Sequence, residues 1–218
     1  MMSNQHSETI HRLMHTKKVI TQGKSLSEAK KALILLHGRG ASAEDILTLT
    51  PYLQVEDFAL LAPQATNHTW YPYSFMAPQE ANEPWLSSAL DVIKNIFDDV
   101  INAGISAENI YLGGFSQGAC LTLEFAARNA QRMGGIVAFS GGLIGQEIDK
   151  SKYQNDFNQT PVFIGCSDID PHIPKGRVEE SGRVLKDLNA NVTVKIYPNM
   201  GHTINEDELE VVNNYIFG

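Results

Sequence analysis

The sequence predicts an α/β fold: a doubly wound, mostly parallel sheet with an antiparallel hairpin at its N-terminal edge. Three observations carry the prediction. Short apolar runs alternate with stretches of helical periodicity, the pattern of a parallel sheet covered on both faces. A chain of 218 residues suits one domain with a sizeable core. Gly114-Phe115-Ser116-Gln117-Gly118 joins the apolar run Ile110-Tyr111-Leu112-Gly113 to the amphipathic Ala119-Cys120-Leu121-Thr122-Leu123-Glu124-Phe125, as a tight strand-to-helix turn does.

The elements follow in order. Residues 1–15 are polar and are read as a flexible N-terminal segment, and 16–218 as a single domain without repeat or linker. A strand near Thr16–Gln22 is expected to pair with Ala32–Leu36 through a polar turn, forming the edge hairpin. Ser42-Ala43-Glu44-Asp45 resembles a helix cap with an acidic third position, so a helix is expected from there towards Leu53. Phe58–Leu61 is the next strand, followed by an irregular stretch from Pro63 to about Pro84. Pro84 suits a first helical turn. Leu86, Ala89, Leu90, Ile93, Ile96, Phe97, Val100 and Ile101 then recur at helical spacing up to Gly104. After the turn at Ser116 come a strand ending near Ser140, a strand over Pro161–Cys166 and a helix over Gly176–Leu188. A strand over Val192–Tyr197 and a helix from about Glu206 to Phe217 close the chain.

Composition excludes some classes of function. A net charge of −8 and a pI near 5.3 argue against nucleic acid and anionic membrane surfaces as partners. Cys120 and Cys166 lie in or beside apolar runs and read as buried thiols of a reducing compartment, not as a disulfide. The N-terminus lacks a signal-peptide pattern, and no apolar run is long enough to span a bilayer. A cytoplasmic protein without integral membrane association is expected, and a homodimer is compatible with the pattern.

The turn at Ser116 also points to chemistry. Glycines two places before and after the serine let strand and helix pass without collision and push the hydroxyl out above the sheet. A serine hydroxyl is a weak nucleophile that needs a base, and the base needs a carboxylate. Ala138-Phe139-Ser140-Gly141-Gly142 is a rival, but the glycines that follow it are too many to start a helix. In such folds the partners follow the serine in the order acid, then histidine, at the carboxyl ends of strands. His6, His11 and His15 read as a solvated tail, and His37 and His68 precede the serine. His202, in the loop between the last strand and the last helix, is therefore the expected base. His172 lies too close to the acid candidates to be presented opposite them. Asp168 and Asp170 both leave the strand over Pro161–Cys166, and spacing does not choose between them. Oxyanion donors are expected at the backbone N–H of Gln117 and, from the glycine-rich exit His37-Gly38-Arg39-Gly40, at that of Arg39. Trp70, Tyr71 and Phe75 are candidate walls of a substrate pocket; the plainer reading is that they anchor a long loop. No metal-ligand spacing or phosphate-cradling loop occurs, so no metal and no cofactor is expected.

Together these segments resemble the phospholipase/carboxylesterase family of α/β-hydrolases, which includes acyl-protein thioesterases and small bacterial carboxylesterases. The matching pieces are Leu36-His37-Gly38-Arg39-Gly40, Ala62-Pro63-Gln64-Ala65, Gly113 to Ala119, Asp168-Ile169-Asp170-Pro171-His172-Ile173-Pro174 and Gly201-His202. The resemblance implies that Asp170, just before the proline, is the acid, and that Asp168 braces the loop. It also implies oxyanion donors at Arg39 and Gln117. Cys166-Ser167 stands where members often carry His-Gly, and Trp70–Phe75 looks like the bacterial branch. The expected activity is serine-dependent hydrolysis of a small carboxylic ester. Acyl thioesterase or lysophospholipase activity by the same residues is the alternative, and a non-catalytic binding protein on this scaffold is a further one.

Overall fold

The computed structural model describes residues 14–218. Seven strands form one sheet: β1 (Val19–Gly23), β2 (Lys31–Leu36), β3 (Phe58–Pro63), β4 (Ile110–Phe115), β5 (Gly135–Phe139), β6 (Pro161–Ser167) and β7 (Asn191–Tyr197), in the spatial order β1-β3-β2-β4-β5-β6-β7. All neighbouring pairs are parallel except β1 with β3. This corrects the predicted hairpin. β1 is antiparallel and lies at the edge, as expected, but its partner is β3, with Val19 opposite Pro63, and not β2. β2 is already flanked by β3 and β4, so neither of its edges is free for β1.

Strand alternation divides the core. Ile34 and Leu36 of β2 face the helices α2 (Trp85–Asn102), α3 (Gln117–Arg128) and α4 (Lys175–Asp187). Leu33 and Leu35 face α1 (Ala43–Leu47) and the C-terminal α5 (Glu206–Val212) with its π-helical extension Asn213–Phe217. The capping box at Ser42 is present: Asp45 N–H donates to Ser42 Oγ, and Ser42 N–H to the Asp45 carboxylate. The helix it starts is shorter than expected. It stops at Leu47, and Pro51 sits in a separate 3-10 turn over Thr50–Tyr52, because proline cannot donate the next helical hydrogen bond. The stripe on α2 is buried as predicted up to Val100, whereas Ile101 is exposed. Helix α3 is buried on nearly every side, which fits its apolar circumference.

His6 and His11 lie outside the described residues. His15 is described and is no solvated tail residue: it is 7% exposed and packs between the rings of Trp70 and Trp85. Its Nε2–H donates to the Trp70 carbonyl at 2.9 Å, and its Nδ1 accepts the Thr66 N–H at 3.2 Å. Those partners assign the neutral Nε2–H tautomer, and burial holds its pKa below the ordinary histidine range, against the opposing pull of the Trp70 carbonyl.

Candidate active site

The strand order sets where a site can form. From β2 the chain crosses to β3 on one side, and β4 then lies on the other. The carboxyl ends of β2 and β4 therefore flank a crevice at the point where the winding reverses. The loop His37-Gly38-Arg39-Gly40 leaves β2 there, and Ser116 leaves β4 there.

Ser116 sits at φ 55°, ψ −119°, geometry that L-residues seldom adopt. The two glycines of the turn are both required. A Cβ on Gly114 would overlap the backbone of Gly118 and Ala119, and one on Gly118 would overlap the carbonyls of Leu36 and His37. The turn is held by Ser116 N–H donating to the Phe139 carbonyl at 2.9 Å and Cys120 N–H donating to the Ser116 carbonyl at 3.0 Å. Ser140, the rival, also has a positive φ, but it is fully buried and leads into a loop instead of a helix.

The β7–α5 loop carries His202 to the serine. The Ser116 hydroxyl donates to His202 Nε2 at 2.8 Å, and His202 Nδ1–H donates to Asp170 Oδ2 at 2.7 Å. The carboxylate on one side and the hydroxyl on the other assign that tautomer. Asp170 is inaccessible to solvent at its side chain. Burial acts to raise its pKa, but hydrogen bonds from His202, His172 N–H and Ile173 N–H outweigh it and hold the carboxyl below the ordinary range. Asp168 does something else. Its Oδ1 accepts Asn199 N–H at 2.8 Å, tying the end of β6 to the loop that bears His202. His172 stands edge-on to His202 with ring centroids 5.0 Å apart and lines the cleft.

The cleft over Ser116 has a volume of about 680 Å³, with Tyr71, Tyr73, Phe75, Cys120 and Ile173 in its walls. Of the three aromatic candidates, Tyr71 and Phe75 line it. Trp70 does not, which corrects that expectation: its ring is fully buried, and its indole N–H donates to the His37 carbonyl at 2.9 Å. It anchors the loop, while its neighbours form the wall. The Cys120 thiol is pushed up to about 12 by burial, so it is no nucleophile near neutral pH. Both cysteines are free and buried.

Among the described residues, neither the Arg39 N–H nor the Gln117 N–H has a hydrogen-bond partner, and both residues line the cleft. Their side chains hold one loop. The Arg39 guanidinium donates to Thr69 Oγ1 and the Pro72 carbonyl, both at 3.0 Å, and to the Tyr73 carbonyl at 2.8 Å. Gln117 Nε2 donates to the Tyr71 carbonyl at 2.8 Å, and its Oε1 accepts Trp70 N–H at 2.9 Å. Sequence reasoning selected these two residues for their backbones and missed their side chains. Thr69 carried no motif signal at all. No group of three or more possible metal ligands occurs among the described residues, and no helix there is long and apolar enough to cross a membrane.

A family model described as Phospholipase/Carboxylesterase matches residues 15–217. The chain belongs to that family. Membership makes it an α/β-hydrolase acting on ester bonds. A phospholipase/carboxylesterase from Dyadobacter fermentans has a similar crystal structure: 52% identity, TM-score 0.93, with 94% of this chain and 98% of that one covered. Acyl-protein thioesterase 1 of Kluyveromyces lactis is 32% identical over 84% of this chain and 89% of its own length. Lysophospholipase-like protein 1 of Mus musculus is 24% identical, with 85% of each chain covered.

Proposed function

We propose that the protein hydrolyses small carboxylic esters through an acyl-enzyme on Ser116. The observation that carries the reading is the unbroken hydrogen-bond chain from Ser116 through His202 to Asp170. The Ser116 Oγ attacks the ester carbonyl as His202 Nε2 takes its proton. Asp170 holds the imidazole and stabilises its cation. The carbonyl oxygen, now an anion, takes up the free N–H groups of Arg39 and Gln117. Collapse breaks the bond to the alcohol, which leaves with the proton from Nε2. Water, deprotonated by the same nitrogen, then frees the acid and restores the serine.

Turnover of a p-nitrophenyl ester by the protein and by Ser116→Ala tests this. Turnover is expected to fall by several orders of magnitude in the variant, and a fluorophosphonate is expected to label the parent alone. Equal turnover in the two rejects the reading. A second reading, acyl thioester hydrolysis, is favoured by the similarity to acyl-protein thioesterase 1. The same steps serve it with a thiol as leaving group, and paired esters and thioesters of one acyl chain measure the preference.

A further inference from the structure

The cleft does not end at His202. Beyond it lies a second hollow of about 420 Å³, whose apolar walls include Ile46, Leu49, Tyr52 and Ile204. The two spaces share Gly38, Ala41, Phe115 and His202. Ser116, Arg39 and Gln117 line only the first.

We propose that this second hollow is the leaving-group subsite and that it takes the alkyl part of a neutral alcohol, an inference that rests on the ester-hydrolase mechanism above. A carbonyl carbon bonded to Ser116 Oγ, with its oxygen on the Arg39 and Gln117 amides, has two substituents left to place. One of them, the alcohol oxygen, has to receive a proton from His202 Nε2. The alcohol is thereby turned towards the one member of the Ser116–His202 pair that also borders the hollow. The acyl chain keeps the larger cleft beneath Tyr71 and Phe75.

Gly38 lines both spaces where they meet. A Cβ there would stand 3.4 Å from both Phe115 Cδ1 and Ser116 Cβ, so a larger side chain at this position would fill space beside the serine and the shared wall. Phe115 and His202, which also line both spaces, pack as a tilted ring pair with 4.9 Å between centroids. The chemistry of the lining selects the occupant. Its carboxylate, Asp45, is committed to the Ser42 N–H of the helix cap at 2.7 Å. Among the described residues, no lysine or arginine lines the hollow to receive a phosphate-bearing headgroup. Tyr52 stands at its edge with 65% of its surface exposed, apolar area that a bound alkyl chain would cover.

The test holds the acyl group as butyrate and varies the alcohol through ethyl, butyl, hexyl and glycerol phosphate. For the neutral alkyl series kcat/KM is expected to rise roughly two- to fourfold per methylene until the hollow is full, and the glycerol phosphate ester is expected to gain nothing. Leu49→Asp and the surface variant Thr48→Trp, one charging the hollow and the other plugging it, are expected to flatten that rise about tenfold at hexyl. Circular dichroism and fluorophosphonate labelling of Ser116 check that each variant is folded. Tyr215→Ser, exposed and remote, serves as the unaltered control. A rise that survives in both variants, or that is flattened by Tyr71→Ser instead, overturns the subsite while leaving ester hydrolysis intact. Absence of hydrolysis and of labelling across the series overturns both.

Discussion

Arg39 and Gln117 meet on a single hydroxyl. Thr69 Oγ1 accepts from Arg39 Nη1 at 3.0 Å and lies 3.3 Å from Gln117 Oε1, its proton shared with the Tyr71 carbonyl at 3.1 Å. The two cleft-lining residues whose amides lack a partner among the described residues are thus fastened by their side chains to the loop that forms the cleft wall. A small displacement of an oxyanion donor costs far more in turnover than in binding. Arg39→Ala is therefore expected to lower kcat roughly 10- to 100-fold with little change in KM. Arg39→Lys is expected to recover little, because only the guanidinium fork reaches a hydroxyl and two carbonyls together. Steady-state kinetics decide it; an unchanged kcat in Arg39→Ala shows that the amide holds its position unaided.

The two aspartates after β6 are expected to separate by magnitude. Asp170→Asn removes the acceptor that fixes the tautomer of His202, and a loss on the order of 10⁴ in kcat is expected. Asp168→Asn weakens only the tie to Asn199, and a loss of about tenfold or less is expected. Pre-steady-state acylation rates on an activated ester measure both, and similar losses in the two variants would leave the acid unassigned to Asp170.

Glu208 gives a stability prediction. Its Oε2 accepts Asn205 N–H, completing the capping box of α5, but its Oε1 is buried against Gly165 with no partner among the described residues. Burial raises its pKa from 4.5 to about 7, helped by the nearby charge of Asp207 and resisted by Asn205 N–H. A carboxyl raised in the folded state stabilises below its unfolded pKa and loses that contribution as pH rises towards 7. Glu208→Gln keeps the cap acceptor and removes the charge. Urea unfolding is expected to show it more stable than the parent by roughly 3 kcal/mol at pH 8, with the gap closing towards pH 4.5. A gap that does not depend on pH rules out titration of Glu208 as the cause.

His15 works with the opposite sign. Its pKa is lowered by burial from 6.5, so the unfolded chain binds the proton more readily. Its stabilising contribution is present above 6.5 and drains away as pH falls below it. His15→Phe keeps a ring between Trp70 and Trp85 and abolishes the titration. The variant is expected to be less stable at pH 8, where it lacks the two ring hydrogen bonds, and to lose less between pH 6.5 and 5 than the parent does. Equal slopes would show that His15 does not titrate on unfolding.

What could be read from the sequence is what local rules decide. The turn at Ser116 is legible because two glycines at fixed spacing answer two specific overlaps, one with α3 and one with β2. Burial of the α2 stripe follows from period alone up to Val100. Placing His202 needed only chain order and the rule that loops at strand ends carry function. What escaped depends on contacts between distant segments. Nothing within residues 16–36 says that β1 will pass over β2 to pair with β3. His15 looked solvated because its neighbours in sequence are polar; its neighbours in space are Trp70, Trp85 and Ser88. Trp70 and Tyr71 are adjacent and similar in character, yet one goes under the loop and the other into the cleft. The hydrogen bond from the Trp70 indole to the His37 carbonyl distinguishes them, and that bond spans 33 residues.

The backbone at Ser116 has a consequence for how this protein can be improved. A left-handed residue that is not glycine stores of order 1–3 kcal/mol that the surrounding packing must offset. Ser116→Gly is expected to release that tension and, on the proposed mechanism, to remove the nucleophilic oxygen in the same change, so a gain in stability there is expected to come with a loss of activity. Engineering for heat resistance has to leave this residue alone and gain its increments elsewhere, at sites such as Glu208 that are remote from the serine.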